Sequence, residues 1–204
     1  MIIAVEGPSA TGKTTWCRSH AERFVPEYQP TGTEPNGTDL PIQAMYWVEV
    51  NSQRWSNAVE LESVSGIALC DSDPLKLHYS WSLARIGAGP PERFEHELAA
   101  VEIAFAQERL GFADLTVISI PPTDQLVRRR ESDPTRRRRN FDLHARLAEP
   151  LAQWYSAIDA LDSGRVLWDF PDPLESDRFP PPRPYRSDGE LLRALTDALP
   201  PLRG

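Results

Sequence analysis

The chain has 204 residues, 40% of them hydrophobic and 25% charged, which is typical of a soluble globular protein with one domain, or one domain and an appendage. No apolar run approaches the roughly 20 residues of a membrane helix, and the start lacks the basic region of a signal peptide, so we predict a cytoplasmic protein without membrane contact. The net charge of −8 argues against general nucleic-acid binding, which needs a basic surface.

The first fifteen residues carry the strongest signal in the chain. Met1 to Val5 is an apolar run, typical of a buried parallel strand, and Gly7 to Thr14 then spells G-x-x-x-x-G-K-T. This is the pattern of a phosphate-binding loop, whose N–H groups point at an anion, although an ordinary turn could match it by chance. Lys13 would supply a cation to the β- and γ-phosphates, and the Thr14 hydroxyl can ligate Mg²⁺. We predict that ATP and Mg²⁺ are bound by Gly7, Pro8, Ser9, Ala10, Thr11, Gly12, Lys13, Thr14 and Thr15.

Beyond this loop, stretches typical of helices alternate with stretches typical of strands. We predict helices at 14–24, 42–64, 75–86, 92–110, 122–130, 141–161 and 189–199, and further strands at 24–28, 67–70, 115–120 and 165–170. This alternation predicts an α/β fold in which helices cover both faces of a mainly parallel sheet of about five strands. In such a fold, the site lies at the carboxyl ends of the strands.

A change of composition at Pro171 divides the chain. Eight of the last 34 residues are proline, whereas residues 1–170 have the mixed composition of a packed domain. We therefore predict one packed domain, with the phosphate-binding loop, at 1–170 and a proline-rich arm with a short helix at 171–204, packed along the domain surface. A proline-rich motif that binds a protein partner is the alternative.

Two aspartates follow the strand predicted at 67–70. A carboxylate at this position, beside a phosphate loop, can hold Mg²⁺ or take a proton from an attacking hydroxyl. The alternative is a helix cap, which suits Asp73 better than Asp71 because Asp73 directly precedes Pro74. We predict Asp71 as a metal ligand or catalytic base, and we keep Asp73 as a candidate for substrate contact.

Seven arginines crowd into residues 128–139 of an otherwise acidic chain. In phosphoryl transfer, guanidinium groups on a mobile lid can stabilise the charge on the transferred oxygens. We therefore predict a lid at about 128–140, with Arg128, Arg130 and Arg136 among its catalytic residues. A solvated surface and an RNA-binding segment are the alternatives, but no aromatic residue is interleaved to favour RNA. We also predict substrate contacts from Glu6, at the end of the first strand, and from Arg54, in the helix predicted at 42–64. Metal contact or a purely supporting role are the alternatives for Glu6.

With these residues in place, residues 1–165 resemble the thymidylate kinase branch of the P-loop kinases. Val5 to Thr15 is similar to that family's E-G-x-x-G-x-G-K-T-T opening, with Ala10 in place of one glycine. Thr33 to Thr38 is similar to its T-R-E-P-G-G-T loop, and Leu69 to Asp71 match the strand before its D-R motif. The resemblance implies ATP- and Mg²⁺-dependent transfer to a small-molecule acceptor, and relatives that often form homodimers.

The resemblance also implies acceptor-side residues, and here the chain departs from the family. Glu34 and Arg54 match substrate-side positions, but the D-R arginine is Ser72, and the T-R-E-P arginine is Thr33 or, with a shift of one residue, Gly32. A phosphorylated acceptor would lose charge-assisted hydrogen bonds to these missing cations. We therefore predict transfer to a hydroxyl or phosphate of a nucleoside, nucleotide or related metabolite, with an unphosphorylated acceptor as our hypothesis. The rival is a regulatory ATPase that acts on a protein partner.

Overall fold

A four-stranded parallel sheet forms the centre of the protein. The computed structural model describes residues 1–35, 37–132, 141–172, 174, 179 and 181–202. The strands are β1 (Ile2–Glu6), β2 (Ala68–Asp71), β3 (Leu115–Ile118) and β4 (Val166–Trp168), in the order β2-β1-β3-β4. Ala4 of the central strand pairs with Cys70 on one side and with Thr116 on the other. The first three strands are buried along their whole length, as expected where helices cover both faces, so the predicted α/β architecture is confirmed.

The segment predicted as a strand at 24–28 is not a strand. Val25 alone forms an isolated parallel bridge, to Cys70 of β2. Its N–H donates to the carbonyl of Leu69 and its own carbonyl accepts from the N–H of Asp71, both at 2.8 Å. Pro26 has no N–H and therefore cannot extend this ladder. The expectation of about five strands is thus wrong for the described chain, whose sheet has four.

Helices pack on both faces of the sheet. In the described ranges they are α1 (Lys13–His20), α2 (Leu40–Ser65), α3 (His78–Arg85), α4 (Pro91–Ala106), α5 (Thr123–Glu131), α6 (Phe141–Arg146), α7 (Ala148–Leu161) and α8 (Gly189–Ala198). Alternate residues of β1 point to opposite faces. Ile2 and Ala4 join a large core with α2, α4 and α7, whereas Ile3 and Val5 pack with Trp16 of α1. Among the described helices, none has the length and apolar character needed to cross a bilayer.

Two helices differ from their predicted bounds for identifiable reasons. The helix predicted at 141–161 is divided at Leu147 into α6 and α7. Pro150, in the first turn of α7, has no N–H to donate to the carbonyl four residues earlier, so the hydrogen-bond ladder is interrupted. The third predicted helix begins only at His78, because Lys76 before it has a φ of 48°, in the left-handed region.

The described part of the C-terminal segment is tied to the amino end of the sheet through Arg186. Its guanidinium donates to Oδ1 and Oδ2 of the fully buried Asp114, at 3.0 and 2.6 Å, and to Glu62 Oε2 of α2, at 2.7 Å. Asp114 also accepts from the backbone N–H of Ile2 and of Arg183, at 2.7 and 2.8 Å. One guanidinium therefore joins three separate parts of the chain.

Replacing Arg186 with alanine is expected to lower the free energy of unfolding by about 3 kcal/mol, because it leaves a buried carboxylate without its charged partner. Urea denaturation would measure the change. Arg109→Ala is the matched control, since the exposed Arg109–Glu49 ion pair should contribute less than about 0.5 kcal/mol. Equal destabilisation by the two substitutions would contradict the anchoring role of Arg186.

Candidate active site

A cavity of about 1280 Å³ opens at the carboxyl ends of the strands. One end is lined by every residue from Glu6 to Thr15. The other end is lined by side chains of α2, α3 and α4, of the segment after Val25 and of the turn after β2, among them Glu27, Tyr28, Trp47, Lys76, Arg93 and Glu97. The structure therefore joins the predicted phosphate loop to a second region of aromatic and charged side chains, in a volume large enough for two ligands.

The shape of the phosphate loop depends on its glycines. Gly7 has a φ of 150°, and a Cβ at this position would overlap the carbonyl oxygen of Ser119. Gly12 has a φ of 105° and leads directly into α1, whose first N–H groups have no partner within the helix. Ala10 also has a positive φ, of 72°, a conformation that is costly for a residue with a side chain. Lys13 donates from Nζ to the Gly7 carbonyl at 2.8 Å, so its ammonium lies over the loop.

Thr14 and Asp71 meet as the sequence predicts. The Thr14 hydroxyl donates to Asp71 Oδ2 at 2.6 Å. Asp71 is 3% exposed, and its Oδ1 has no hydrogen-bond partner among the residues that the structure describes. Burial raises the pKa of this carboxyl above its usual value, although the hydrogen bond from Thr14 acts in the opposite direction. A hydroxyl and a buried carboxylate with an unused oxygen are hard ligands that fit Mg²⁺.

Glu6 is held by protein groups rather than open to a ligand. It is 2% exposed, and its Oε1 accepts from the N–H of Gly7 at 3.0 Å. Its Oε2 accepts from the N–H of Asp73 at 3.1 Å and from Lys76 Nζ at 3.3 Å, and His78 Nε2 lies 3.3 Å away. Burial acts to raise the pKa of Glu6, but the charges of Lys76, His78 and Lys13 outweigh it and hold the pKa well below the usual value.

Asp73 and Arg54, two predicted substrate contacts, are occupied by the fold. Asp73 does not line the cavity, because its Oδ1 accepts from the N–H of Leu75 at 3.0 Å and its Oδ2 from the Tyr155 hydroxyl at 2.9 Å. Arg54 reaches the cavity wall, but its guanidinium donates to backbone carbonyls, including those of Asp71 at 2.9 Å and Ser72 at 2.8 Å. In this structure both side chains shape the turn after β2.

Glu34, the remaining predicted substrate contact, is bound within its own loop and does not line the cavity. It accepts hydrogen bonds from the Tyr28 hydroxyl at 2.7 Å and from the N–H groups of Thr31 and Gly32 at 2.6 and 3.0 Å. The Tyr28 hydrogen bond and those of the loop backbone lower the pKa of Glu34 to about 2. Its carboxylate therefore fixes the loop that carries Tyr28 to the cavity.

Of the described arginines in the predicted lid, Arg129 rather than its neighbours faces the cavity. Arg128 pairs with Asp124 at 2.7 Å on the exposed surface, and Arg130 lies over the ring of Phe141, 4.7 Å from its centroid. Arg129 lines the cavity and donates to the Thr11 carbonyl at 2.6 Å. Helical spacing could have identified Arg129 in the sequence. The buried residue Leu126 lies three positions before Arg129, so both lie on the same face of α5. Arg136 and residues 133–140 of the predicted lid lie outside the described residues.

Sequence reasoning also missed most side chains at the end of the cavity away from the phosphate loop. Glu27 lies two residues beyond the Val25 bridge, at the same edge of the sheet as Asp71, and its Oε1 is 3.6 Å from Lys76 Nζ. Trp47 and Tyr28 meet edge to face, with ring centroids 5.3 Å apart. A further pair, Arg93 and Glu97 of α4, is joined at 2.9 Å. No direct signal in the sequence pointed to Glu27, because it lies inside the segment predicted as a strand at 24–28 and reaches the cavity only through the Val25 bridge to Cys70.

Comparisons with known proteins bear on the fold. No protein-family model matches the sequence, and no curated protein matches it. Among solved structures, deoxyadenosine kinase from M. mycoides with the products dCMP and a flexible dCDP bound has a TM-score of 0.57 at 12% identity, covering 83% of this chain and 90% of that one. The same kinase with bound dCTP or dATP has a TM-score of 0.54, at 14% and 13% identity, covering 82% of this chain and 89% and 90% of those chains. The narrower likeness to thymidylate kinases gains no specific support, and what this chain shares with these deoxyadenosine kinase structures is the fold.

Proposed function

We propose that this protein is a kinase that transfers the γ-phosphoryl group of ATP, with Mg²⁺, to a hydroxyl of a nucleoside or a closely related small molecule. The observation that carries the proposal is the single cavity that joins a complete phosphate loop to an aromatic and charged acceptor region. The shared fold with deoxyadenosine kinase supports the nucleoside class.

The donor half consists of the loop N–H groups, Lys13 and the Thr14–Asp71 pair. The N–H groups and the start of α1 bind phosphate oxygens, and Lys13 neutralises charge on the transferred group. Thr14 and Asp71 would hold Mg²⁺, which would offset the negative charge of the phosphates. Because Oδ2 of Asp71 is already bound to Thr14, we assign Asp71 to the metal rather than to proton transfer.

The acceptor half favours a ligand without a phosphate. Its arginines are paired inside the protein: Arg54 with backbone carbonyls and Arg93 with Glu97. A monophosphate would have to break these pairs to gain its own, whereas a neutral hydroxyl compound would not. The rings of Trp47 and Tyr28 offer apolar faces against which a flat base can pack.

Glu27 is the residue that we assign as catalytic base. It lines the acceptor end, and although burial tends to raise its pKa, the nearby Lys76 and Lys13 charges lower it overall, so the carboxylate is ionised at neutral pH. The acceptor oxygen would attack the γ-phosphorus while its proton passes to Glu27. The bond from the γ-phosphorus to the bridging oxygen breaks, and ADP leaves with that electron pair.

The test is a product assay with ATP or GTP, Mg²⁺, and a panel of nucleosides and their 5′-monophosphates, read by mass spectrometry and by release of the nucleoside diphosphate. We expect a phosphorylated nucleoside, with turnover at least about 10-fold above that of any monophosphate, the effect of roughly one unmade charged hydrogen bond. Diphosphate release without a phosphorylated acceptor would instead support the regulatory ATPase.

We further propose that residues 1–170 form the catalytic domain and that the C-terminal arm lies along it. The Trp16 indole N–H of α1 donates to the Pro171 carbonyl at 2.8 Å, and Arg186 holds the other end of the arm, which supports this division. A cytoplasmic location and a homodimer stay predictions from the sequence and its resemblance.

A further inference from the structure

Lys76 occupies an unusual place between two carboxylates. Its Nζ lies 3.3 Å from Oε2 of Glu6, which is almost fully buried, and 3.6 Å from Oε1 of Glu27, which is open to the cavity. The Lys76 side chain is itself 24% exposed and lines the cavity. The chain has only one other lysine, Lys13 of the phosphate loop, and Glu6 lies between them, with its Oε1 4.0 Å from Lys13 Nζ.

The backbone turn from Ser72 to Lys76 holds the Lys76 side chain between the two carboxylates. Lys76 has a φ of 48°, and Ser72, at the start of the same turn, has a φ of 71°. Residues in this region cost conformational free energy and persist only where surrounding contacts fix them. Here Glu6 Oε2 accepts from the N–H of Asp73, and Asp73 in turn caps the N–H of Leu75. The turn and the side chain it presents are thus held by the same buried carboxylate.

We infer that Lys76 is a catalytic cation of the acceptor half, which contacts the reacting oxygen of the acceptor, and that Glu6 is the positioning residue that anchors it. This inference rests on the proposed function. An ammonium group has three N–H donors, of which Glu6 accepts one, and another can meet a ligand in the cavity beside Glu27. Ser72, where the resemblance to thymidylate kinases leads one to expect an arginine, carries no charge.

Phosphoryl transfer to the acceptor would be favoured by a cation beside Glu27. As the acceptor hydroxyl passes its proton to Glu27 and forms a bond to the γ-phosphorus, negative charge develops on oxygens beside that carboxylate. An ammonium group fixed 3.6 Å from that carboxylate can stabilise the charge without rearrangement. Burial would lower the pKa of Lys76, but Glu6 and Glu27 outweigh it and raise the pKa, so the side chain stays protonated.

The experiment compares the full-length wild type with Lys76→Met, Lys76→Gln and Lys76→Arg, using the best nucleoside from the product assay. We expect Lys76→Met and Lys76→Gln to lower kcat about 100-fold while KM for ATP changes less than about 3-fold, because the lost contact forms in the transition state. Lys76→Arg should recover at least a tenth of the wild-type kcat, since it restores the charge. Arg109→Met, which removes an exposed cation outside the cavity, should match the wild type.

Equal kcat for the wild type and Lys76→Met would overturn the inference, as would recovery by glutamine rather than arginine, which would indicate a merely structural hydrogen bond. If the single variants fail to fold, Glu6→Gln combined with Lys76→Met removes both charges of the buried pair. A folded double variant must still lose about 100-fold in kcat, or the inference is wrong. A wild type inactive with every acceptor overturns the proposed function and the inference together, whereas an active wild type beside an equally active Lys76→Met overturns the inference alone.

Discussion

Replacing Lys13 with alanine is expected to lower phosphoryl transfer about 1000-fold while the domain stays folded. The Lys13 ammonium is held over the phosphate loop by the Gly7 carbonyl at 2.8 Å, and its side chain is 11% exposed. It is the cation that the loop offers to the transferred group, and no water molecule can replace its charge in a partly closed site. In the variant, Glu6 keeps its hydrogen bonds from Lys76 and from the N–H of Gly7, so this buried carboxylate is still paired and the fold is retained.

A coupled assay of ADP release would measure the loss, and thermal unfolding by circular dichroism would test the fold. Arg109→Ala serves as the control for removing one cation elsewhere on the surface. Turnover retained by Lys13→Ala would contradict the proposed mechanism. Loss of the folded state together with activity would contradict the view that Lys13 acts on the ligand rather than on the protein.

Asp71→Asn is expected to lower transfer at least about 100-fold and, in metal-free buffer, to raise Tm. Asparagine keeps the shape of the side chain but removes the negative charge that, in our proposal, binds Mg²⁺. The pKa of Asp71 is raised in the folded protein, chiefly by burial, so its ionised form costs stability at neutral pH. With a raised folded pKa, wild-type stability falls as pH rises from the usual value of 3.8 through the folded value.

Thermal unfolding at several pH values would measure whether Asp71→Asn raises or lowers Tm. In EDTA, the Tm of Asp71→Asn should exceed that of the wild type at pH 7, and the difference should shrink as the pH falls toward 4 and the wild-type carboxyl takes up its proton. Asp197→Asn, at an exposed position of α8, is the control and should change neither Tm nor turnover. A lower Tm for Asp71→Asn at pH 7, or full activity with Mg²⁺, would contradict our assignment.

The contiguous features of this protein are determined by the sequence alone. The phosphate loop can be predicted because its chemistry lies within eight neighbouring residues, Gly7 to Thr14, and because glycine spacing and a following helix are local properties. The position of Asp71 can be predicted because parallel strands end at one edge of a sheet. The meeting of Thr14 and Asp71 at 2.6 Å follows from these two local facts and the pairing of β1 with β2.

The acceptor half was decided by the tertiary structure. Arg129, rather than Arg128 or Arg130, faces the cavity because the burial of Leu126 fixes the rotation of α5, and a run of identical side chains carries no sign of that rotation. Asp73 is bound by Tyr155, 82 residues away, so a local cap pattern could not reveal its partner.

The ion pairs of the site could not be predicted either, because their partners are distant in the sequence. Glu6, Glu27 and Lys76 come from three distant parts of the chain and meet only once the sheet has formed. Local patterns report hydrogen bonds and helical faces within a few residues, whereas the pairing of buried charges depends on which segments fold against each other. The sequence alone therefore predicted the phosphate loop at which we propose that the donor binds, and tertiary packing decided which charges line the rest of the cavity.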